Sequence, residues 1–218
     1  MRPGLTILVE GLDLAGKSTL RRGLDQAIKA LGYKLRVGRN ALCPSNRLAE
    51  EADSMRRDPS RDIFKTSELF LQAHCWDAEH FQPPPLGTIH LQDSCWMRTL
   101  AFARFSGDVT AARRLEQAAA NFPRFDLVFF LTASIEVRRE RLQKREREEP
   151  GANDAGDAWV NSRPQDFLRL EAELLRSVRS FSNPVVIDTT EMNSGAIREQ
   201  VVSNIKGALC RHPHSTKS

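Results

Sequence analysis

The stretch Gly11-Leu12-Asp13-Leu14-Ala15-Gly16-Lys17-Ser18 sets two glycines, a lysine and a hydroxyl at the spacing G-x-x-x-x-G-K-[ST]. Each of these residue types answers a need of polyphosphate binding. Glycines let the backbone turn tightly, so that several N–H groups converge on phosphate oxygens. Lys17 can then bridge the β- and γ-phosphates, and the Ser18 hydroxyl, with Thr19 behind it, can ligate Mg²⁺. The pattern fixes only four positions, so a chance match in a glycine turn is the alternative. Its context argues otherwise. A continuous apolar run, Leu5–Val9, directly precedes the loop, and an amphipathic helix opens at Lys17 with Leu20, Leu24, Ala27, Ile28 and Leu31 on one face. That helix start supplies free amides and a dipole that favours anions.

Other residues could take part in the same chemistry. Asp93 ends an expected strand, where it could hold Mg²⁺ through water or act as general base toward a hydroxyl; alternatively it caps the helix that follows. Arg138, Arg141 and Arg145 share one helix face, and Arg147 leads into a glycine-containing loop. One of Arg141, Arg145 and Arg147 could swing over a γ-phosphate and neutralise transition-state charge. The opposing reading is a solvated helix laced with Glu–Arg pairs. His74, Trp76 and His80 could line a base pocket or simply pack, while Phe70, Leu71 and His74 read as a core stripe and Trp96 as a buried helix-start residue.

The elements that must position these groups alternate. Strands are expected at Leu5–Val9, Tyr33–Arg39, Thr88–Gln92, Leu127–Leu131 and Val185–Ile187. Helices are expected at Lys17–Leu31, Ser45–Arg57, Ser67–Phe81, Trp96–Phe105, Val109–Asn121, from Ser134 to about Glu148, Pro164–Ser180 and Ala196–Leu209. Gly32 ends the first helix, Ser134 caps another with Val137 at the third position, and Pro150–Asp157 reads as loop. Strands separated by helices imply a doubly wound α/β fold with a mainly parallel sheet.

The loop segment Val9–Thr19 is similar to the E-G-x-D-x-x-G-K-[ST]-T of the thymidylate kinase family. Asp93–Phe102 resembles that family's D-R-[YF]-x-x-S-x-x-A-[YF]. Phe125–Leu131, with Glu136, Val137 and Arg141, resembles the segment leading into its lid. The likeness runs from about residue 5 to residue 190. It implies a P-loop kinase three-layer sandwich with a mainly parallel five-stranded sheet and a helical lid at about 141–163. It also implies a single domain over 1–210 followed by a flexible tail, 211–218. By the same resemblance Gly11, Leu12, Asp13, Leu14, Ala15, Gly16, Lys17, Ser18, Thr19 and Arg147 bind ATP, with Asp13 also near the acceptor's sugar hydroxyl. Ser18 and Asp93 would hold Mg²⁺, and Lys17, Arg39, Asp93, Arg141 and Arg145 would carry catalysis. Leu14 stands where some members have arginine, so the charge is expected from the lid. Three positions depart from the pattern: Ser94 replaces the arginine of D-R, Cys75 stands where an arginine precedes the tryptophan, and Asn40 follows Arg39 in place of glutamate. Arg98 or Arg47 could compensate.

The formal net charge of +4 suits an anionic small molecule. The basic run Arg138–Arg147 is interrupted by Glu140 and Glu146 and flanked by Glu136 and Glu148, which argues against a nucleic-acid stripe. Four scattered cysteines, with no C-x-x-C pair, read as reduced thiols. Glu10 breaks the N-terminal apolar run, so no secretory leader or membrane span is expected. The expectation is a cytoplasmic ATP- and Mg²⁺-dependent kinase of a nucleotide or nucleoside, with no nucleic-acid or membrane partner and a homodimer open to it by resemblance. The alternatives are a kinase of a non-nucleotide alcohol and a non-catalytic nucleotide-binding module.

Overall fold

The computed structural model describes residues 4–57, 63–150 and 157–211. Five strands, β1 (Leu5–Glu10), β2 (Lys34–Arg39), β3 (Thr88–Asp93), β4 (Leu127–Thr132) and β5 (Val185–Asp188), form one sheet in the order β2-β3-β1-β4-β5. Every pairing is parallel, so the sheet is wholly rather than mainly parallel. The helices are α1 (Lys17–Ala30), α2 (Arg47–Arg57), α3 (Ile63–His80), α4 (Trp96–Ser106), α5 (Val109–Ala118), α6 (Ile135–Glu148), α7 (Trp159–Ser162), α8 (Pro164–Phe181) and α9 (Ser194–Arg211).

Alternation along the strands sorts side chains into two cores. Leu5, Ile7, Val9, Ile89, Leu91, Phe129, Leu131 and Ile187 face α1 and α9. Leu8, Val128 and Phe130 face the opposite layer, built from α4, α5 and α8 with Leu71 of α3. Both faces of the sheet are therefore covered, which is why every residue of the central β1 and β3 is buried.

Several expected boundaries move. The helix expected from Ser67 starts at Ile63, and that expected from Ser45 starts at Arg47, where Asn46 accepts the Ala49 amide at 3.2 Å. Val109–Asn121 divides into α5 and a 3-10 turn, Ala119–Asn121. Short α7 has no counterpart in the sequence reading, and α9 runs through Arg211, into the segment expected to be tail. The central part of the expected lid loop, 151–156, and the tail residues 212–218 lie outside the described residues.

Two histidines are buried, His74 in α3 and His90 in β3. His74 is 6% exposed and bonds Thr99 Oγ1 at 2.9 Å. Burial holds its pKa down to about 3. His90 is 1% exposed and is held down to about 4 by burial and then by the charge of Arg36. Both are neutral in the native state, whereas an unfolded histidine titrates near pH 6.5. Their folded pKa values are depressed, so their contribution is fully present above about pH 6.5. It is lost as pH falls, because the unfolded chain takes up protons that the native chain refuses. Two such groups are expected to cost roughly 2–3 kcal/mol between pH 7.5 and 5.5. Urea unfolding at the two pH values measures this, and equal stabilities would contradict it.

Candidate active site

Parallel alignment brings the carboxyl ends of all five strands to one edge. Glu10, Arg39, Asp93, Thr132 and Asp188 are the terminal residues, and the register pairs Arg39 with Asp93 and Thr132 with Asp188. The chain leaves β1 toward β2 and β3 on one side and toward β4 and β5 on the other. In open α/β sheets the crevice at such a switch point is where ligands sit.

The loop from Gly11 to Gly16 fills that crevice. Gly11 has φ +135°, and a Cβ there would lie 2.1 Å from the Leu131 carbonyl oxygen, so no larger residue fits without moving backbone. Gly16, at φ +98°, stands at the N-cap of α1 and offers no side-chain cap, and no acidic residue lies in the first turn. The first-turn amides therefore remain available to an anion. Ser18 and Thr19 are exposed beside them. Leu14 has φ +64° and is only 7% exposed, packed into the core beneath the loop.

Lys17 folds back over the loop and donates to the Gly11 carbonyl at 2.6 Å and the Leu12 carbonyl at 3.1 Å. Burial, then the nearby Arg98 charge, lowers its pKa, while Asp13, Asp93 and Glu10 oppose the fall. Arg98 rises from the first turn of α4. Its Nε and Nη2 grip Glu10 Oε1 at 3.1 and 2.6 Å, and Nη2 also donates to the Gly11 carbonyl. Glu10 is fully buried and also accepts the amides of Gly11 and Cys95.

Asp93 is 9% exposed, with Arg21 Nη1 3.7 Å away. It does not cap α4, whose N-cap is Cys95 without a side-chain bond. The capping alternative therefore falls. Asp93 is followed by Ser94, which is buried with φ +71°, a costly conformation for a non-glycine residue. A directed chain of buried bonds holds it. Arg36 Nε donates to His90 Nδ1 at 2.8 Å, His90 Nε2 meets Gln92 Oε1 at 3.1 Å, and Gln92 Nε2 donates to the Ser94 carbonyl at 2.7 Å. The donor order assigns His90 the tautomer with its proton on Nε2. Arg39 is exposed at the end of β2 and lines a cavity of about 230 Å³ with Asn40, Cys43, Asn46 and Asp53. Asp77 ties this wall to α3 by accepting the Leu42 amide at 2.7 Å and Asn46 Nδ2 at 2.9 Å. An open hollow of about 450 Å³ along α8, lined by Arg176 and Arg179, contains none of the strand-end residues.

On the β4–β5 side, Arg141 donates to the Leu14 carbonyl at 2.8 Å and to the Thr189 carbonyl at 2.8 Å. Arg145 pairs with Asp157 at 2.8 Å, and Arg147 is exposed. Arg138 departs from both readings of its helix face. It is neither a solvated residue nor open to the cleft, but fully buried, donating to the Asp13 carbonyl at 2.9 Å and paired with Glu171. His74 and Trp96 pack in the core as their blander readings held, with Phe122 touching both. Cys75 packs against the α4–α5 cluster.

The family model described as thymidylate kinase matches residues 9–192. The chain belongs to the thymidylate kinase family. As a member it is a phosphotransferase of the ATP-dependent nucleotide kinase type. A probable thymidylate kinase from Archaeoglobus fulgidus is 29% identical over 148 residues, 65% of this chain and 70% of the relative. The thymidylate kinase of Candida albicans shares the fold, with a TM-score of 0.65 and 15% identity over 95% of this chain and 93% of the other. Within the thymidylate kinase loop pattern, Glu10 is the residue whose structural partner the sequence leaves unstated. An arginine in the first turn of an otherwise buried helix, Arg98 among Trp96, Met97, Leu100 and Ala101, was the available signal, because a buried cation demands a carboxylate.

Proposed function

We propose that the protein transfers the γ-phosphoryl group of Mg²⁺·ATP to a thymidylate-like nucleoside monophosphate seated between the carboxyl ends of β1, β2 and β3. The observation that carries this reading is the uncapped start of α1 with Lys17 bent over it, near Asp93 at the end of the neighbouring β3 and Arg98 in the first turn of α4. The loop amides, Lys17, Ser18 and Thr19 take the triphosphate. Arg141, lodged against the loop at Leu14, and Arg145 and Arg147 further along α6 stand on the donor side. Ser18 and Asp93 offer hard oxygens of the kind Mg²⁺ takes alongside substrate phosphates. When bound, the ion would neutralise charge on the transferring group. A monophosphate acceptor attacks through its own oxygen, so catalysis is positioning and charge neutralisation, without a protein base. With a hydroxyl acceptor Asp93 would be the base instead.

No described helix is long and apolar enough to cross a membrane. The four cysteines are free thiols, which supports the cytoplasmic expectation. The test is transfer from γ-labelled ATP to dTMP, dUMP, thymidine and non-nucleotide alcohols. Labelled nucleoside diphosphate is the expected product. Label appearing only on an alcohol, or on nothing while ATP still binds, would overturn the reading in favour of the alcohol kinase or the non-catalytic module.

A further inference from the structure

We infer that Arg98, held in plane by Glu10, is the cation that seats the acceptor's phosphate, and hence that the acceptor site is built for an anion rather than a neutral alcohol. This rests on the proposed kinase reading and adds the residue that selects the acceptor.

Glu10 anchors the arrangement from the end of β1. Its carboxylate has no exposure, and it receives the Gly11 amide, the Cys95 amide and two bonds from Arg98. So many donors fix the carboxylate, and the carboxylate in turn fixes the guanidinium through its Nε and Nη2 edge. The third nitrogen, Nη1, has no partner among the described residues, and the side chain retains 22% of its exposure. A guanidinium locked on one edge and free on the other is preorganised for an oxygen ligand, with little side-chain entropy left to lose.

A second observation concerns charge. Lys17 Nζ and Arg98 Nη2 both donate to the Gly11 carbonyl. Two cations meeting at one neutral oxygen repel each other, and Arg98 accordingly makes Lys17 easier to deprotonate. Arg98 itself stays protonated: burial works against its charge, but Glu10, Asp13 and Asp93 more than restore it. An anionic oxygen between the two cations would relieve their repulsion as no carbonyl can.

Topology separates the two halves of the site. Arg141 reaches the loop from α6, which follows β4, while Arg98 reaches it from α4, which follows β3. Since β3 and β4 flank β1 on opposite sides, the two guanidiniums approach the loop from opposite sides. Arg98 shares its side of the loop with Asp93 and with Arg39, which pairs with Asp93 across the strand ends and lines the cavity at the end of β2. The other arginine weighed for this role, Arg47, is exposed at the start of α2. Arg98 thus supplies, from one turn inside α4, a charge that Ser94 at the strand end cannot.

The plain alternative is that Arg98 only neutralises Glu10. Arg98→Gln and Arg98→Lys separate the two, and the double variant E10Q/R98Q serves if the single glutamine variant does not fold. The measurement is calorimetric titration of dTMP, and of thymidine, into protein saturated with Mg²⁺·ADP, together with KM for dTMP and for ATP. Loss of one charge-assisted bond should weaken dTMP roughly ten- to a hundredfold, leave ATP and thymidine within about twofold, and be partly restored in Arg98→Lys. Unchanged dTMP affinity in a folded variant, equal losses for dTMP and thymidine, or no dTMP binding by the unaltered protein would each overturn the inference. Intact, Arg98-dependent dTMP binding without phosphoryl transfer would instead sustain the inference and overturn the kinase reading.

Discussion

Lys17→Ala is expected to lower the rate of phosphoryl transfer by about 10²–10³ at saturating ATP, with far less effect on stability. The magnitude is that of removing one preorganised donor aimed at developing charge in a water-poor site. Its ammonium already rests on two loop carbonyls, Gly11 and Leu12, at 2.6 and 3.1 Å. Those oxygens hold it where phosphate oxygens would arrive, so little reorganisation separates the free from the bound arrangement. No neighbour can take its place. Arg98 is anchored to Glu10 on the acceptor side of the loop, and Arg141 is tied to Leu14 and Thr189. The lowered proton affinity of Lys17, caused first by burial and then by Arg98, should rise again when an anion binds, so the charge is strongest where catalysis needs it. Single-turnover measurement with γ-labelled ATP tests this directly. Transfer by the alanine variant within threefold of the unaltered protein would remove the electrostatic basis of the site.

What the sequence makes legible here is local. The Leu5–Val9 run, the two glycines and the 3–4 spacing after Lys17 each encode a short-range preference, and strand, loop and helix formed where those preferences lay. The carboxyl-edge placement of Asp93 and Arg39 was legible for the same reason, since each ends its own expected strand. The contacts between these pieces were not. Glu10 and Arg98 are 88 residues apart, and nothing in either neighbourhood specifies the other. The chain from Arg36 through His90 and Gln92 to Ser94 could be sought only once β2 and β3 were known to be neighbours. Within β3 itself, His90 and Gln92 interrupt an apolar strand, and that was the visible clue that one face carries polar work. Arg138 was the hardest case. Its helix is so rich in charge that composition gave no hint that one arginine turns inward, because only the positions of β4, α8 and the loop make that face an interior.

That inward arginine gives the second large expected effect. Glu171→Ala should destabilise the fold by about 3–5 kcal/mol, the usual cost of leaving a buried charge without its partner. Arg138 is fully buried, with its guanidinium paired to Glu171, bonded to the Ala133 carbonyl at 2.9 Å and lying 4.9 Å over the Phe167 ring. Thr132 Oγ1 completes the carboxylate's bonding at 3.0 Å. Burial already lowers the arginine's pKa, and Glu171 is the strongest of the groups that resist the fall. Replacing both partners, as R138M/E171L, should recover most of the lost stability, because a well-packed apolar pair avoids the desolvation of two ions. Function should not return with it. Arg138 also holds the Asp13 carbonyl at 2.9 Å, bracing the phosphate loop from below. The double variant should therefore melt near the unaltered protein yet bind ATP about tenfold more weakly, the worth of one charge-assisted bond. Thermal unfolding and ATP titration of the two variants decide the matter. A double variant with normal ATP affinity would show that the pair serves stability alone, and a stable Glu171→Ala would show that it does not serve even that.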